Sequence, residues 1–470
     1  MSYTKVFADQ KVPPGPPGRF LLGNAADIRQ RGSHRFALDN MRQYGSICHY
    51  RILRWPVYLI SHPDYIKHVL QDNQRNYGKD TFAYRALRPI LGDGLVTSQG
   101  NFWLRQRRLA QPAFQRQRIE GFAEIMTQAT LDMLKQWEIY AQSDQSFDLA
   151  KEMTQLTLRI AGETLFGIDL TNAANEIGRA VTLGLQEVTR RLMRPFVLPL
   201  TIPTPNNRRF SANIQTLDKV VYGIIAERRR TTTDKGDLLS MFMMVEDEET
   251  RERMTDQQLR DEVMTMMLAG HETTANALIW TWYLLMQHPD VEARLATELT
   301  EVLDGRTPTI DDLPHLPYTL MVIQESMRLY PPIYIFSRSA TQSDEIGGYH
   351  VPAGTTISIS PFAMHRHPDY WDNPETFNPE RFHPNHLAVQ HRFTYIPFAA
   401  GPRQCIGHVF ALMEARLVLT TIAQRYRVRL VPGHPIEAQS AITLRPRYGM
   451  QVKLESTHGS ILRPVFHKPN

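Results

Sequence analysis

Cysteine is scarce in this chain, which contains two cysteines among 470 residues. Two cysteines cannot build a disulfide framework, and they are too few to hold an iron–sulfur cluster. Such scarcity is typical of a reducing compartment, so we expect a cytoplasmic protein. Cys48 lies in the alternating stretch 47–53 and is interpreted as a small, buried apolar residue.

Long apolar runs are also absent, and no stretch of the sequence is long enough to cross a bilayer as a helix. The first 18 residues are polar and then proline-rich, without the basic region and apolar core of a signal peptide. The apolar stretch Phe196 to Ile202 is too short to span a membrane. We therefore expect a soluble chain without a transmembrane anchor.

Nucleotide-binding motifs are missing as well, because the chain has no P-loop and no G-x-G-x-x-G that opens a helix. The net charge of +5 and the pI of about 9.1 favour an acidic partner. The chain nevertheless lacks zinc-finger spacing and any basic run interleaved with aromatic residues, so we expect no binding to nucleic acid.

Helical periodicity dominates what is present. Short strands are predicted over 47–53 and 57–60, with a turn at Trp55 and Pro56, and strand-like segments return late in the chain. These late strands cover residues 333–339, 350–351, 355–360 and the region after Arg427. The predicted helices cover residues 102–110, 119–142, 150–165, 174–193, 214–230 and 256–287, with a last helix from near Cys405 to about Tyr426. The pattern predicts a mainly α protein with a minor β-rich portion: a polar, proline-rich segment over 1–18 and one domain over 19–470.

Cys405 lies in the run FAAGPRQCIG, residues 398–407, just ahead of an amphipathic helical pattern. The positive end of a helix dipole and free backbone N–H groups favour a thiolate, so we expect this sulfur to be ionised and to bind a soft metal. Gly401 and Gly407 leave room for a large, flat group near the backbone, and Arg403 offers a positive charge to an anionic edge. Haem meets these requirements.

This run resembles the haem-binding signature of the cytochrome P-450 family, F-x-x-G-x-R-x-C-x-G. The signature positions are filled by Phe398, Gly401, Arg403, Cys405 and Gly407. The resemblance implies a cytochrome P-450 fold, with haem b buried between a long central helix and the cysteine loop and helix. It also implies that Cys405 is the axial ligand of the haem iron and that the chain is a soluble, bacterial haem-thiolate monooxygenase.

A second motif, AGHETT at residues 269–274, places polar residues inside an otherwise apolar helix. Gly270 weakens a helix and a threonine hydroxyl can bond to the carbonyl one turn back, so we expect the hydrogen-bond ladder to open there and admit water or dioxygen. The resemblance implies that Glu272 and Thr273 deliver the protons consumed when dioxygen is cleaved. No second histidine follows one turn after His271, so a zinc-protease helix is excluded and His271 is interpreted as packing.

Two further motifs match the family. Glu325 and Arg328 are three residues apart on one predicted helix face, and the resemblance implies a buried triad with Arg381 that holds the core behind the haem. Four residues are implied to bind the haem propionates, because arginine suits carboxylates and a tryptophan one helical turn away can face the same edge. They are Trp103, Arg107, Arg338 and Arg403.

The substrate pocket is predicted by position in the family and by apolar character. Its expected residues are Phe82, Tyr84, Leu87, Val96, Met266, Ala269, Ile333 and Ile335. Core packing is the alternative role for these side chains. An apolar pocket suits a lipophilic substrate such as a fatty acid, a terpene or a steroid.

Electrons must come from a separate protein, because the chain has no site of its own for collecting them from NAD(P)H. We expect a ferredoxin or flavodoxin system, and the basic stretch Arg105 to Arg118 is either its docking surface or an ordinary solvated face. A haem-thiolate peroxygenase or isomerase and a non-catalytic haem sensor are alternatives. The pair Glu272 and Thr273 counts against them, since such proteins usually lack it.

Overall fold

The computed structural model describes residues 11–167, 183–184, 187–191, 198–231, 235–247, 249–387 and 390–456. Within these residues the chain is mainly helical, with four sheets, as the periodicity predicts. Most of the predicted helix 174–193 lies outside the described residues. None of the helices in the described ranges combines the length and the apolar character that crossing a bilayer requires.

We label the helices with printed bounds in chain order. They are α1 (Ala25–Arg31), α2 (Ser33–Tyr44), α3 (Pro63–Lys67), α4 (Phe82–Leu91), α5 (Gly100–Ala110), α6 (Arg116–Glu120), α7 (Ala123–Ser143), α8 (Leu149–Phe166), α9 (Pro205–Thr231), α10 (Leu238–Met244), α11 (Asp256–Gln287), α12 (Pro289–Leu303), α13 (Pro317–Leu329), α14 (Pro361–Met364), α15 (Pro384–Leu387) and α16 (His408–Ala423).

The strands form one larger sheet and three small ones. They are β1 (Ile47–Ile52), β2 (Trp55–Ile60), β3 (Tyr77–Gly78), β4 (Phe147–Asp148), β5 (Phe336–Ala340), β6 (Asp344–Ile346), β7 (Tyr349–Val351), β8 (Thr356–Ile359), β9 (Tyr426–Leu430), β10 (Ala438–Ser440), β11 (Leu444–Pro446) and β12 (Gln451–Ser456). The larger sheet has the order β1-β2-β8-β5-β3, in which only β2 and β8 are parallel. The others are β4-β12-β9, β10-β11 and β6-β7.

Helix α11 is the central element, and its bounds are the predicted ones. It begins with a capping box, in which Thr255 and Gln258 each accept a hydrogen bond from the other's backbone N–H. It ends before Pro289, because the residue ahead of a proline disfavours helical geometry. Helices α8, α9, α13 and α16 pack around it, which accounts for burial on most of its sides.

Several predicted bounds were wrong for local reasons. The turn between β1 and β2 is at Leu53, which has a φ of +55°, and not at Trp55 and Pro56, which belong to β2. The predicted helix 119–142 is two helices, α6 and α7, with a break between Glu120 and Ala123. Helices α1 to α4 were not predicted; Gly32 separates α1 from α2, and Pro63 and Pro89 fall within α3 and α4.

Candidate haem-binding and active site

The cysteine loop is shaped by its own backbone. The N–H of Cys405 donates to the carbonyl of Phe398 at 2.9 Å, and a single 3₁₀ turn over Gly401–Arg403 closes the loop. The thiol of Cys405 is open to a deep cavity that Phe398 and Gly407 also line. The loop therefore presents one sulfur to this cavity.

The sequence placed Cys405 at a helix start, whereas α16 begins at His408. The sulfur thus lies ahead of the first helical turn, and burial raises the pKa of the Cys405 thiol, although the Gly407 N–H and the charge of Arg107 oppose that rise. Burial of the sulfur therefore opposes the ionisation that the sequence predicts. A coordinated metal would supply the missing charge, because it deprotonates the thiol that binds it.

Gly401 has a different role from the one expected. It has a φ of +71°, and it is not among the residues that line the cavity. A Cβ at this position would lie 2.0 Å from the carbonyl oxygen of Leu70. Gly401 therefore lets the loop approach the segment His68–Asp72, while Gly407 is the glycine that borders the cavity.

Four cationic side chains converge on the cavity, and each donates to neutral oxygens. Arg107 donates to the Gln404 carbonyl at 3.0 Å, and Arg403 donates to the Ser98 carbonyl at 3.0 Å. Arg338 donates to the hydroxyl of Tyr84 at 3.2 Å. Trp103 also lines the cavity, and its ring centre lies 4.0 Å from the Arg403 guanidinium.

The fourth cation, Lys79, was missed from the sequence. Its Nζ donates to the Val96 carbonyl at 2.7 Å, and its side chain lines the cavity. Burial lowers the pKa of Lys79 well below its usual value, and the charges of Arg338, Arg403 and Arg107 lower it further. A single lysine between β3 and α4 carries no sequence signal that would distinguish it from an exposed one.

These cations fit an anionic guest. Among the described residues, none of the four forms a salt bridge with a carboxylate, so the cavity holds buried positive charge without a protein counter-ion. The two propionates of haem would supply that counter-charge beside a thiol that binds iron. The donor set therefore fits haem, which would be held by Cys405 and by Trp103, Arg107, Arg338, Arg403 and Lys79.

Helix α11 borders the cavity along the segment AGHETT. The hydroxyl of Thr273 donates to the Ala269 carbonyl at 2.6 Å, and that of Thr274 donates to the Gly270 carbonyl at 3.1 Å. The predicted opening of the ladder is wrong, because α11 remains α-helical through this segment. His271 is buried and bonds through Nδ1 to the Met267 carbonyl at 2.6 Å, as expected for a packing residue.

Glu272 is held by a residue that the sequence did not reveal. Thr443, between β10 and β11, donates its hydroxyl proton to Oε1 of Glu272 at 2.9 Å. The same hydroxyl accepts from Nδ2 of Asn276 at 3.2 Å, which leaves its own proton free for Glu272. Glu272, Thr273 and Thr443 all line the cavity. The two residues are 171 positions apart in the sequence, so the spacing of motifs could not predict this contact.

The cavity has a volume of about 460 Å³ and is lined mainly by apolar side chains. Seven of the eight predicted pocket residues line it: Tyr84, Leu87, Val96, Met266, Ala269, Ile333 and Ile335. Phe82 does not, because it begins α4 with its ring 47% exposed, while Ala83 and Leu87 point inward. Residues missed from the sequence include Leu91, Leu95, Phe114, Leu165, Leu268 and Ile442.

The triad lies outside the cavity. Glu325 and Arg328 are both fully buried on α13 and form a bidentate pair, with distances of 2.6 Å and 2.8 Å. The Nε of Arg381 lies 3.4 Å from Oε1 of Glu325. Arg328 also donates to the carbonyls of His365, Pro374 and Thr376, so a single guanidinium ties α13 to the segment ahead of the cysteine loop.

The basic stretch Arg105 to Arg118 is not a uniformly free face. Arg105 pairs with Glu252, Arg108 pairs with Asp247 and Glu249, and Arg116 pairs with Glu120. Arg107 faces the cavity. Most of this positive charge is therefore matched within the chain.

Glu262, a buried carboxyl beside the cavity, gives a pH-dependent prediction. Burial raises its pKa to about 7, from an ordinary value of 4.5, although hydrogen bonds from Leu95 N–H and Gln106 oppose the rise. The unfolded chain releases this proton at lower pH than the folded protein does. The free energy of unfolding should therefore fall as pH rises from about 4.5 to 7, by on the order of 3 kcal/mol from this group.

The Glu262→Gln variant should lack this component, so its stability relative to the natural protein should increase with pH across that window. Urea unfolding of both proteins at pH 5 and pH 8 measures the difference. A constant difference at the two pH values would contradict the prediction.

Comparison with known proteins places these features in one family. A family model described as Cytochrome P450 matches residues 13–454. The chain is 36% identical over 430 residues to cyclooctatin synthase of Streptomyces melanosporofaciens, covering 91% of this chain and 92% of that protein. It is 37% identical over 414 residues to cyclooctat-9-en-7-ol 5-monooxygenase of the same organism, with 88% of each chain covered.

Further similarity extends to a second species and to a solved structure. Pentalenene oxygenase of Streptomyces avermitilis is 34% identical over 427 residues, covering 90% of this chain and 93% of that protein. The crystal structure of the cytochrome P450DA heme domain superposes with a TM-score of 0.88 at 27% identity, covering 95% of this chain and 98% of that one. The predicted family and the predicted fold class are thereby confirmed.

Proposed function

This chain belongs to the cytochrome P450 family of oxidoreductases, and from that membership we propose that it is a haem-thiolate monooxygenase that inserts one oxygen atom from O₂ into a terpene. The observation that carries this proposal is the cavity itself. It combines a thiol at one wall, unmatched cations at its edge and the pair Glu272 and Thr273 on α11, around a mainly apolar interior.

The cofactor supplies the chemistry that amino-acid side chains lack. Haem with a thiolate ligand, when bound, activates dioxygen and favours cleavage of its O–O bond. In this chain Cys405 would ligate the iron, and the buried cations would neutralise the propionates. The apolar wall would exclude bulk water and orient the substrate.

Glu272 and Thr273 are proposed to move protons into the cavity. Both side chains line it, and the hydroxyl of Thr273 now donates to Ala269, so it must rotate or accept a proton from elsewhere to act as a donor in the cavity. Glu272 is partly exposed, and it accepts from Thr443 on its other side. This arrangement supports a relay in which Glu272 supplies protons and Thr273 hands them on.

Replacing Thr273 with alanine tests this relay. We expect Thr273→Ala to consume O₂ and reducing equivalents at a comparable rate but to release more hydrogen peroxide and less product, because proton delivery fails while haem and substrate still bind. Peroxide and product are measured per reducing equivalent consumed. Thr273→Ser, which keeps the hydroxyl, is the control, and equal coupling in all three proteins would contradict the proposed role.

A terpene is favoured over other lipophilic substrates by the relatives. Cyclooctat-9-en-7-ol 5-monooxygenase and pentalenene oxygenase are named for oxygenation of terpenes, and the cavity of this chain is mainly apolar. A panel of cyclic terpenes, fatty acids and steroids, scored by the change in haem spin state on binding, tests the choice. A response to fatty acids alone would overturn the terpene assignment and leave the monooxygenase assignment in place.

The electron source is proposed to be a separate ferredoxin or flavodoxin system fed by NAD(P)H, since the chain has no dinucleotide-binding motif. The scarcity of cysteine, with Cys48 and Cys405 both free thiols, supports a cytoplasmic location. Reconstitution with purified ferredoxin and flavodoxin partners, followed by the rate of haem reduction, distinguishes the two electron donors.

A further inference from the structure

The loop over residues 92–98 joins α4 to α5 and places Leu95 and Val96 in the cavity wall. Leu95 and Val96 pack against the apolar core, whereas the hydrogen bonds and ion pairs of the loop's polar side chains are local. Thr97 bonds within the loop, to the carbonyls of Gly92 and Gly94, and the Asp93 carboxylate pairs with the exposed Arg88. The hydrogen bonds that join the loop to other segments are made by its backbone.

Two adjacent carboxylates on α11 bind one side of this loop. The N–H of Asp93 donates to Oδ2 of Asp261 at 2.9 Å, and the N–H of Leu95 donates to Oε2 of Glu262 at 3.1 Å. Both carboxylates are buried, and Glu262 also accepts from the amide of Gln106 on α5 at 3.2 Å. A buried backbone N–H that loses its acceptor is left unsatisfied, which is costly whether or not the acceptor carries a charge.

The loop lies against the helix too closely for side chains at two of its positions. Gly92 has a φ of +55°, and a Cβ there would lie 2.1 Å from Oδ1 of Asp261. A Cβ at Gly94 would lie 2.1 Å from the hydroxyl of Thr265. These glycines therefore permit the close approach that the two carboxylates then hold.

The opposite side of the loop is bound by the cavity's cations. Lys79 donates to the carbonyl of Val96, and Arg403 donates to the carbonyl of Ser98. Acidic groups on one side of the loop thus accept hydrogen bonds from its N–H groups, and basic groups on the other side donate hydrogen bonds to its carbonyls. The position of the loop depends on the acidic and on the basic contacts. Lys79 and Arg403 are also among the residues that would bind haem, whereas Asp261 and Glu262 are not.

We propose that Asp261 and Glu262 are positioning residues that clamp loop 92–98 and thereby determine which substrates the cavity accepts. Loss of either acceptor would leave a backbone N–H unpaired beside the helix and release the wall formed by Leu95 and Val96. The clamp would act on substrate shape and not on the oxidation step. This inference rests on the proposed function only in taking the cavity as the substrate pocket.

The first test measures hydrogen exchange of individual backbone amides in the haem-loaded protein, which requires no substrate. In Glu262→Met, which removes the acceptor at similar length, we expect the Leu95 amide to exchange at least about tenfold faster, because a hydrogen bond to a buried acceptor is lost. Asp261→Ala should do the same to the Asp93 amide. Glu262→Gln keeps an acceptor oxygen and should restore protection of Leu95.

The matched control is Glu298, which accepts from the N–H groups of Tyr318 and Thr319 at 2.6 Å and 2.8 Å and is not among the cavity residues. Glu298→Met should expose those two amides and leave Leu95 protected. If Glu262→Met does not fold, Asp261→Ala carries the same test at Asp93. Unchanged exchange at Asp93 and Leu95 in the folded variants would overturn the clamp.

The second test compares the affinities of bulky and slender terpenes by the haem spin-state shift. The preference between them should change in Glu262→Met and Asp261→Ala but not in Glu262→Gln or Glu298→Met. Faster loop exchange with an unchanged preference would overturn the role in specificity. Failure of the proposed function would look different, because the natural protein itself would then respond to no terpene.

Discussion

Replacing Cys405 with serine is expected to abolish substrate oxidation and to shift the Soret band of the reduced, carbon monoxide-bound protein to shorter wavelength. A serine hydroxyl is not ionised near neutral pH and gives iron none of the electron density that a thiolate supplies. The backbone bond from residue 405 to the Phe398 carbonyl does not use the side chain, so the loop should keep its shape. The haem should still bind through the cationic groups around the cavity.

The natural protein provides the reference spectrum, and it should show the long-wavelength band of a thiolate-ligated haem. Cys48→Ala is the matched control, because Cys48 is fully buried in β1 and should leave both spectrum and activity unchanged. A short-wavelength band in the natural protein would mean that a neutral thiol or a histidine holds the iron. Retention of the long-wavelength band in Cys405→Ser would exclude Cys405 as the ligand.

Replacing Arg328 with alanine should lower the free energy of unfolding by about 3–5 kcal/mol, because it leaves a buried carboxylate without its partner. Glu325 is fully buried and has its main ion pair with Arg328, while Arg381 approaches only at 3.4 Å. The carbonyls of His365, Pro374 and Thr376 would lose a donor at the same time. Urea unfolding followed by circular dichroism measures the change.

A surface ion pair supplies the comparison. Arg31 and Asp39 lie 3.3 Å apart with both side chains about half exposed, so Arg31→Ala should cost less than about 1 kcal/mol. Equal losses in Arg328→Ala and Arg31→Ala would show that burial contributes nothing to the effect. Glu325→Gln should fall between the two, because it removes the charge and keeps the shape.

A neutral histidine connects this buried pair to the cysteine loop. The N–H of Ile396 donates to Nε2 of His365 at 2.9 Å, so the ring proton is on Nδ1 and is donated to the carbonyl of Arg328 at 3.2 Å. Burial, together with the charge of Arg328, lowers the pKa of His365 to about 3. Ile396 leads directly into the run that contains Cys405, so disruption of the pair should also loosen the sulfur's position.

The local sequence pattern predicted the structure correctly where the residues of a single helix determine it. The apolar periodicity of α11 and its capping residues are contiguous, and the structure reproduces its predicted bounds at Asp256 and Gln287. The spacing of Glu325 and Arg328 places them on one helix face because of helical geometry alone. Short elements were harder, since α1 and α3 are held by contacts outside their own few residues.

Contacts between segments that are distant in the sequence could not be predicted from the spacing of residues or motifs. Thr443 and Glu272 form a hydrogen bond although they are 171 positions apart in the sequence. Lys79 differs from a surface lysine only in being buried. Gly401 illustrates the same limit, because its sequence position suggested room for a cofactor and the structure shows room for the Leu70 carbonyl. In each case the role depends on which segments folding brings around the residue.

The chemistry available to this protein can be read from its amino acids: one thiol in a haem-binding signature, an acid and an alcohol in a long apolar helix, and arginines suited to carboxylates. The electrostatics and the shape of the site arise only when the chain folds. Burial raises the pKa of the Cys405 thiol, and convergence leaves four cations without carboxylate partners among the described residues. Carboxylates on α11 hold the loop that lines the cavity. Charge, burial and shape depend on which segments meet, and only folding brings those segments together.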